Sequence, residues 1–291
     1  MSATTTTTQT EEFVPRGDVT SSLSFYAPPA DGSRPAYYIP TDAAPYTNFG
    51  ETLSQVLIRD LRGNESTLSL DKQAYNLHVS PTSFQFSDYE DEEKIKSVYY
   101  PEVEQIIKTH VPGAKNAKVI IFDHTIRRSA PDASRGPVLR AHIDQTPRSA
   151  ALRLRRHLSE EEAQAVEAND ERYMILNVWR PINGQVVSHP LAFADSSTVE
   201  EEDLVPVAHV YPDYEGETAG VKFSEKQGWW YVSGQKEDEV TLIKCFDSRR
   251  GENGEYRRVP HTAFIHPDTK EGARGRESIE VRCLVVGVKD E

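Results

Sequence analysis

From residue 173 onward the chain is an almost unbroken series of short apolar, β-branched or aromatic runs, divided by Gly, Pro, Asp and Asn turns. Eight runs have this character: 173–179, 190–194, 205–211, 220–223, 227–232, 240–246, 261–265 and 278–288. Short strands at such spacing satisfy their backbones and share a core as a closed or two-layered sheet, so the pattern predicts a barrel or double-sheet sandwich. No internal repeat accompanies it.

The N-terminal part reads differently. Residues 1–20 are Thr-rich, then acidic, and carry little that is apolar beyond Phe13 and Val14. Such a segment cannot offset its ordering entropy and is expected to be a disordered tail, dispensable for stability, with ordered structure starting at Ser21. A Pro-, Asp- and Gly-rich loop (27–47), a short strand (54–61) and a polar, turn-like stretch (63–76) follow. Ile95, Val98, Val103, Ile106 and Ile107 recur at roughly helical spacing within 87–110, where Pro101 should interrupt or kink the helix. Residues 117–125 and 137–143 read as strands. Residues 148–171 are helical in composition, and Ser159 with three glutamates supplies a cap and an acidic first turn. The fold class expected is mainly β with flanking helices (α+β). An N-terminal α+β layer (21–116) should pack on a core (117–291) as one folding unit, because no linker composition divides them.

Charge and cysteine content narrow the function. The 33 Lys+Arg against 46 Asp+Glu give a formal charge of −13, which argues against a nucleic-acid partner. No run approaches the roughly 18 apolar residues of a membrane span. The N-terminus lacks the basic and apolar regions of a secretory signal. Cys245 and Cys283 sit in apolar, strand-like surroundings and read as buried free thiols of a cytoplasmic protein. With two cysteines and no CxxC, a Cys-rich zinc site is excluded.

The sharpest chemical feature is His142-x-Asp144 at the end of an apolar run. Residues two apart on a strand point to one face, so the imidazole and carboxylate could bind a metal side by side. A 2-His-1-carboxylate site needs a second, distant histidine. Among His157, His189, His209, His261 and His266, His157 lies in a basic helical run and reads as solvent-facing. His189 precedes Pro190 in a turn, and no arginine follows His209 until Arg249. His261 opens a strand, and fifteen residues later Arg276-Glu-Ser278 opens the last one. Arg276 and Ser278 share one face by period two, while Ile279, Val281, Cys283 and Val285 share the other, a core-packing face. A guanidinium beside a hydroxyl makes a fork for a carboxylate. Singly, an H-x-D pair is more often structural and a strand-end arginine more often exposed. The ordered set His142, Asp144, His261, Arg276, Ser278 reverses that weighting.

This order of motifs is similar to the non-heme iron(II)/2-oxoglutarate-dependent oxygenases, whose fold is a double-stranded β-helix (cupin-like jelly roll). A closer resemblance runs from about Leu23 to Val288. DLRGNESTLSLD (60–71), YYPEVEQIIK (99–108), FDHTIRRS (122–129), HIDQTP (142–147), NVWRPI (177–182), HPLAFADSSTV (189–199), KCFDSR (244–249) and VPHTAF (259–264) look like the fungal AsaB-type hydroxylase/desaturase group. That group is related to gibberellin GA4 desaturase and to a family like a cephem methoxylase subunit.

The resemblance implies that His142, Asp144 and His261 hold Fe(II). It implies that 2-oxoglutarate binds through its C1 carboxylate and keto oxygen, with O2 at the remaining position and the C5 carboxylate on Arg276 and Ser278. Arg180 could pair with the C1 carboxylate or a substrate anion, and Asn177 on the same strand could hydrogen-bond it. His124 reads as lying near the site or facing substrate. Phe193, Trp229, Trp230 and Tyr231 read as core or pocket wall. The expected activity is hydroxylation or desaturation of a small-molecule natural product in fungal secondary metabolism. The alternatives are an iron enzyme that works without 2-oxoglutarate and an inactive partner subunit of a heterodimeric oxygenase. The substrate and the choice among monomer, homodimer and heterodimer stay open.

Overall fold

The computed structural model describes residues 12–130, 133, 135–251 and 254–289. The chain runs through β1 (Val19–Ala27), β2 (Ala36–Tyr38), β3 (Tyr46–Thr47), β4 (Gly50–Asp60) and β5 (Tyr75–Val79). A helical stretch follows: α1 (Glu92–Lys94), a π turn (Ile95–Tyr99) and α2 (Tyr100–His110). Next come β6 (Lys118–Arg128), β7 (His142–Ile143), α3 (Pro147–His157) and α4 (Glu160–Ala168). The remainder is β8 (Tyr173–Pro181), β9 (Leu191–Ala194), β10 (Leu204–Val210), β11 (Glu215–Val221), β12 (Trp229–Tyr231), β13 (Glu239–Asp247), β14 (His261–Ala263) and β15 (Glu277–Val286).

Two sheets result. One has ten strands in the order β1-β4-β12-β9-β14-β7-β11-β10-β2-β3, and the other has five in the order β5-β13-β8-β15-β6. The early strands are members of these sheets: β4 pairs with β12, and β5 with β13. The five-stranded sheet is buried on both faces because its central strands alternate between two apolar sets. Met174, Leu176, Val178, Val281 and Cys283 face α2, where Val103, Ile106 and Ile107 cover them. Ile175, Ile243, Cys245 and Leu284 face inward between the sheets, where Tyr75 stacks on Phe193 at 5.0 Å. Trp229 and Tyr231 alternate with Trp230 and pack on the other face of the ten-stranded sheet, beside Ala192 and Ala194. None of these aromatic residues lines the cleft described below.

Several expectations needed correction. Residues 12–20, expected to be disordered, are tied down, whereas residues 1–11 of that tail lie outside the described residues. The Glu12 carboxylate binds Arg274 at 2.8 Å, Gly17 N donates to Asp60 at 2.9 Å, and the Tyr231 hydroxyl donates to Gly17 O at 2.8 Å. β1 starts at Val19, opposite Ile58. Polar backbone with long-range partners, invisible to an apolar count, holds this segment. Pro101 does not break its helix: it falls in the first turn of α2, where a missing N–H costs little, and the π turn precedes it. The stretch 148–171 is two helices, because Thr146 caps α3 and Ser159 caps α4. In the strand expected over 137–143 only β7 pairs regularly, with Arg140 bridging to Ser24. β5 was hidden in a stretch read partly as turn. No described helix is long and apolar enough to cross a membrane.

Candidate active site

His142 and His261 lie opposite each other on β7 and β14, an adjacent antiparallel pair in the ten-stranded sheet. That register brings residues 119 positions apart to a ring-centroid distance of 4.5 Å. Asp144 follows β7 directly, and its Oδ1 lies 3.4 Å from His142 Nε2. One potential ligand atom from each of the three residues lies within 4.8 Å of the others, and no second such His/Cys/Asp/Glu group occurs among the described residues.

The imidazoles are oriented from behind. His142 Nδ1 sits 2.9 Å from Arg140 O, and His261 Nδ1 sits 3.2 Å from Val259 O. Donation of Nδ1–H to a carbonyl leaves Nε2 with its lone pair free. Asp144 is held by Asn177, whose Nδ2 donates to Oδ2 at 2.7 Å, with Arg282 Nε at 3.5 Å from the same oxygen. Burial would raise this carboxyl, but the His142 hydrogen bond and the Arg282 charge outweigh it and hold it well below the usual carboxylate range. Burial, and then the neighbouring His142, lower His261. The set is thus an ionised carboxylate with two imidazoles, the donor set of an open iron site rather than a thiolate-rich zinc site.

Arg276 and Ser278 line the same side of the five-stranded sheet, and a small cavity joins Arg276 to the triad. Arg276 is 2 % exposed, and its Nη1 donates to His189 O at 2.6 Å. His189 has φ 48°, a left-handed conformation costly for a residue with a Cβ, and this turn presents its carbonyl to the guanidinium. Burial, and then the like charge of Arg127, push Arg276 down to about 9, so it is still a cation at neutral pH. Its Nε and the Ser278 Oγ are buried without a partner among the described residues. Two orphaned donors, one of them on a buried guanidinium, fit a carboxylate. The chain therefore offers both halves of an iron and 2-oxo-acid site.

Comparison with known proteins agrees. A family model described as an oxidoreductase/YMDC permease-like domain matches residues 23–286. The hydroxylase/desaturase poxK of Penicillium oxalicum is 32 % identical over 302 residues, covering 93 % of this chain and 92 % of that protein. The alpha-ketoglutarate-dependent dioxygenase phiK of a fungal species (strain ATCC 74256) is 35 % identical over 93 % of this chain and 97 % of its own length. The chain belongs to the fungal iron(II)/2-oxoglutarate-dependent hydroxylase/desaturase family. A solved structure of the iron and alpha-ketoglutarate-dependent endoperoxidase NvfI superposes with a TM-score of 0.81 at 30 % identity, covering 94 % of this chain and all of that one. The fold is accordingly the double-stranded β-helix, and the protein is a dioxygenase that uses iron(II), 2-oxoglutarate and O2.

Other expected residues lie elsewhere. Arg180 is fully buried on the helix-covered face of β8, donating to the Tyr99 hydroxyl at 3.1 Å and to Glu237 O at 2.6 Å. The alternation that points Asn177 and Trp179 at the site turns Arg180 to the opposite face of β8, toward Tyr99. Asn177 is at the site, but its amide serves the Asp144 carboxylate. His124 faces the helical layer, with Nδ1 2.8 Å from the Tyr100 hydroxyl and Nε2 3.2 Å from Glu92. His157, expected to face solvent, is half-buried and stacks on Phe122. Sequence reading passed over Arg127 and Glu280, which line the cavity together with Arg282. Glu280 and Arg282 extend the period-two series begun by Arg276 and Ser278, a signal that was present in β15.

Proposed function

We infer that His142, Asp144 and His261 hold the iron(II) of this dioxygenase, and that Arg276 and Ser278 hold the distal carboxylate of 2-oxoglutarate. The observation that carries the reading is the unpartnered buried Nε of Arg276, which lines a cavity shared with the triad, with the unpartnered Ser278 Oγ two residues further along the same strand face. When bound, iron(II) with 2-oxoglutarate and O2 supplies an oxidant able to take hydrogen from an unactivated carbon, with succinate and CO2 as by-products. The chain contributes orientation. Asn177 and Arg282 fix the Asp144 carboxylate, and backbone carbonyls fix both imidazoles. Trp179, whose ring lies 5.4 Å from the Arg276 guanidinium, helps wall the inner cavity from water.

The strands that residues before 117 give to both sheets support reading 21–291 as one catalytic unit. Two buried free thiols, Cys245 and Cys283, suit a reducing compartment and support a cytoplasmic location, which imaging of a fluorescently tagged chain checks.

The test is an anaerobic titration with iron(II) and 2-oxoglutarate, followed by the weak visible charge-transfer band of the chelate. The wild-type chain should give the band with one iron per chain. His261→Ala should keep the fold and lose tight iron binding; iron bound as well as by wild type refutes the ligand assignment. Arg276→Ala should retain iron but weaken 2-oxoglutarate by about 2–5 kcal/mol, the cost of removing one partner of a buried charge pair. Unchanged 2-oxoglutarate affinity would sink the second assignment. Product mass then separates hydroxylation, a gain of one oxygen, from desaturation, a loss of two hydrogens.

A further inference from the structure

A cleft of about 790 Å³ opens from the triad, and its wall carries six arginines: Arg127, Arg135, Arg140, Arg153, Arg156 and Arg282. Among the described residues only two carboxylates, Asp123 and Asp144, line it with them. In a chain of formal charge −13 this is a local inversion of sign. Both carboxylates are engaged, Asp144 in the triad and Asp123 with Arg282 Nη1 at 2.9 Å. Arg140 is paired with Glu51 at 3.1 Å. Arg127 and Arg135 donate to neutral acceptors, Gly136 O and the Thr125 hydroxyl.

Arg153 and Arg156 have neither a carboxylate nor any other hydrogen-bond acceptor among the described residues. They stand three residues apart on α3, hence on one face, and each lies against an aromatic ring: Arg153 4.5 Å from the centroid of Phe122, and Arg156 5.7 Å from that of Tyr214. Carboxylates close to this helix are taken by its other arginines, Arg148 with Glu215 and Glu217, and Arg155 with Glu167. Burial, and then repulsion from Arg156, lower Arg153, as expected of a cation still lacking its counter-ion. Iron(II) and the 2-oxoglutarate dianion together bring no net charge, so loading the site does not neutralise this end of the cleft. Tyr211 and Tyr214, stacked at 4.1 Å, give the same wall an apolar surface.

We propose that the substrate carries an oxyanionic group, a carboxylate or a phosphate, which pairs with Arg153 and Arg156 while its uncharged body lies against the Tyr211–Tyr214 wall. This rests on the reading of the triad and Arg276 given above. Guanidinium forks bind either oxyanion bidentately, and a site built around them rejects an uncharged analogue because its cations would stay unpaired.

The test uses the full chain saturated with iron(II) and 2-oxoglutarate without oxygen, so that Arg276 is already occupied. The charge-transfer band confirms loading, and its absence indicts the triad reading, not this one. Calorimetric titration then compares 4-phenylbutanoate, 4-phenylbutyl phosphate and the uncharged 4-phenylbutanamide. At least one anion should bind tenfold or more tighter than the amide, and the tighter anion names the source. Arg153→Gln/Arg156→Gln should lose that preference while keeping the band. Arg156→Gln alone, at an exposed position where folding is not at risk, should lose most of it. Equal binding of amide and anions, no binding of either anion at millimolar concentration, or a preference that survives in both variants overturns the proposal.

Discussion

An imidazole serves a metal only through a nitrogen whose lone pair is free and aimed, and here the aiming is done by groups that never touch the site's centre. Arg140 O and Val259 O take the Nδ1 side of the two histidines, and Asn177 takes one oxygen of Asp144. Asn177 is fully buried, and its Oδ1 has no partner among the described residues, so its amide is committed to the carboxylate. Asn177→Ala should therefore weaken iron binding by roughly 10–100-fold without unfolding the chain, the usual cost of losing a group that orients a metal ligand. Iron titration checks this, and unchanged affinity would show that Arg282 alone suffices to fix Asp144. H-x-D and the distal histidine were legible as residues. The role of Asn177 was not, because an amide's partner depends on which strand lies opposite.

Elements decide which residues of an alternating pattern face the chemistry. Period two on β15 correctly separated Arg276 and Ser278 from Ile279, Val281, Cys283 and Val285. On β8 the same rule needed the strand's orientation, and Arg180 falls on the helix-covered face. Where β5 meets the end of α2, His78 and His110 stack at 4.1 Å. Burial, and then His110, push His78 down to about 4 from its ordinary 6.5. As pH falls through 6.5 the unfolded chain takes up this proton and the folded chain does not, so stability drains away between pH 6.5 and about 4 and is unaffected above pH 7. After allowance for solvent screening at this partly exposed position, the loss is about 1–2 kcal/mol. His78→Phe should lower its melting temperature less than wild type does between pH 7 and 4.5. Parallel curves for the two proteins would show that the pair does not resist protonation.

For the whole molecule, the segment from Glu12 to Thr20 closes the ten-stranded sheet onto the loop that precedes Arg276. Glu12 holds Arg274, Gly17 joins Asp60 to Tyr231, and Val19 and Thr20 pair with Ile58 and Leu57. A chain starting at Ser21 should be less stable by about 2–4 kcal/mol, the sum of a few hydrogen bonds at about 1 kcal/mol each. It should also bind 2-oxoglutarate more weakly, since Arg274 lies two residues from Arg276. Thermal melts and 2-oxoglutarate titration of the shortened chain check both, and an unchanged melting temperature would mean that these contacts are idle.

What the sequence by itself determined is what local pattern encodes. Strand periodicity and turn chemistry specify the β architecture, since alternation and turn residues act within a few positions. The residues proposed as metal ligands and carboxylate fork stand out by residue type and order. Only the tertiary structure decided what depends on pairs far apart in the chain: that β7 and β14 lie side by side, that Asn177 meets Asp144, and that residues 12–20 are held by Asp60, Tyr231 and Arg274. It also decided that Arg153 and Arg156, two arginines of an ordinary-looking basic helix, line a cleft in which no described carboxylate pairs with them. Neither strand register nor the sum of charges around a cavity is a local property, and both emerge only when the sheets close.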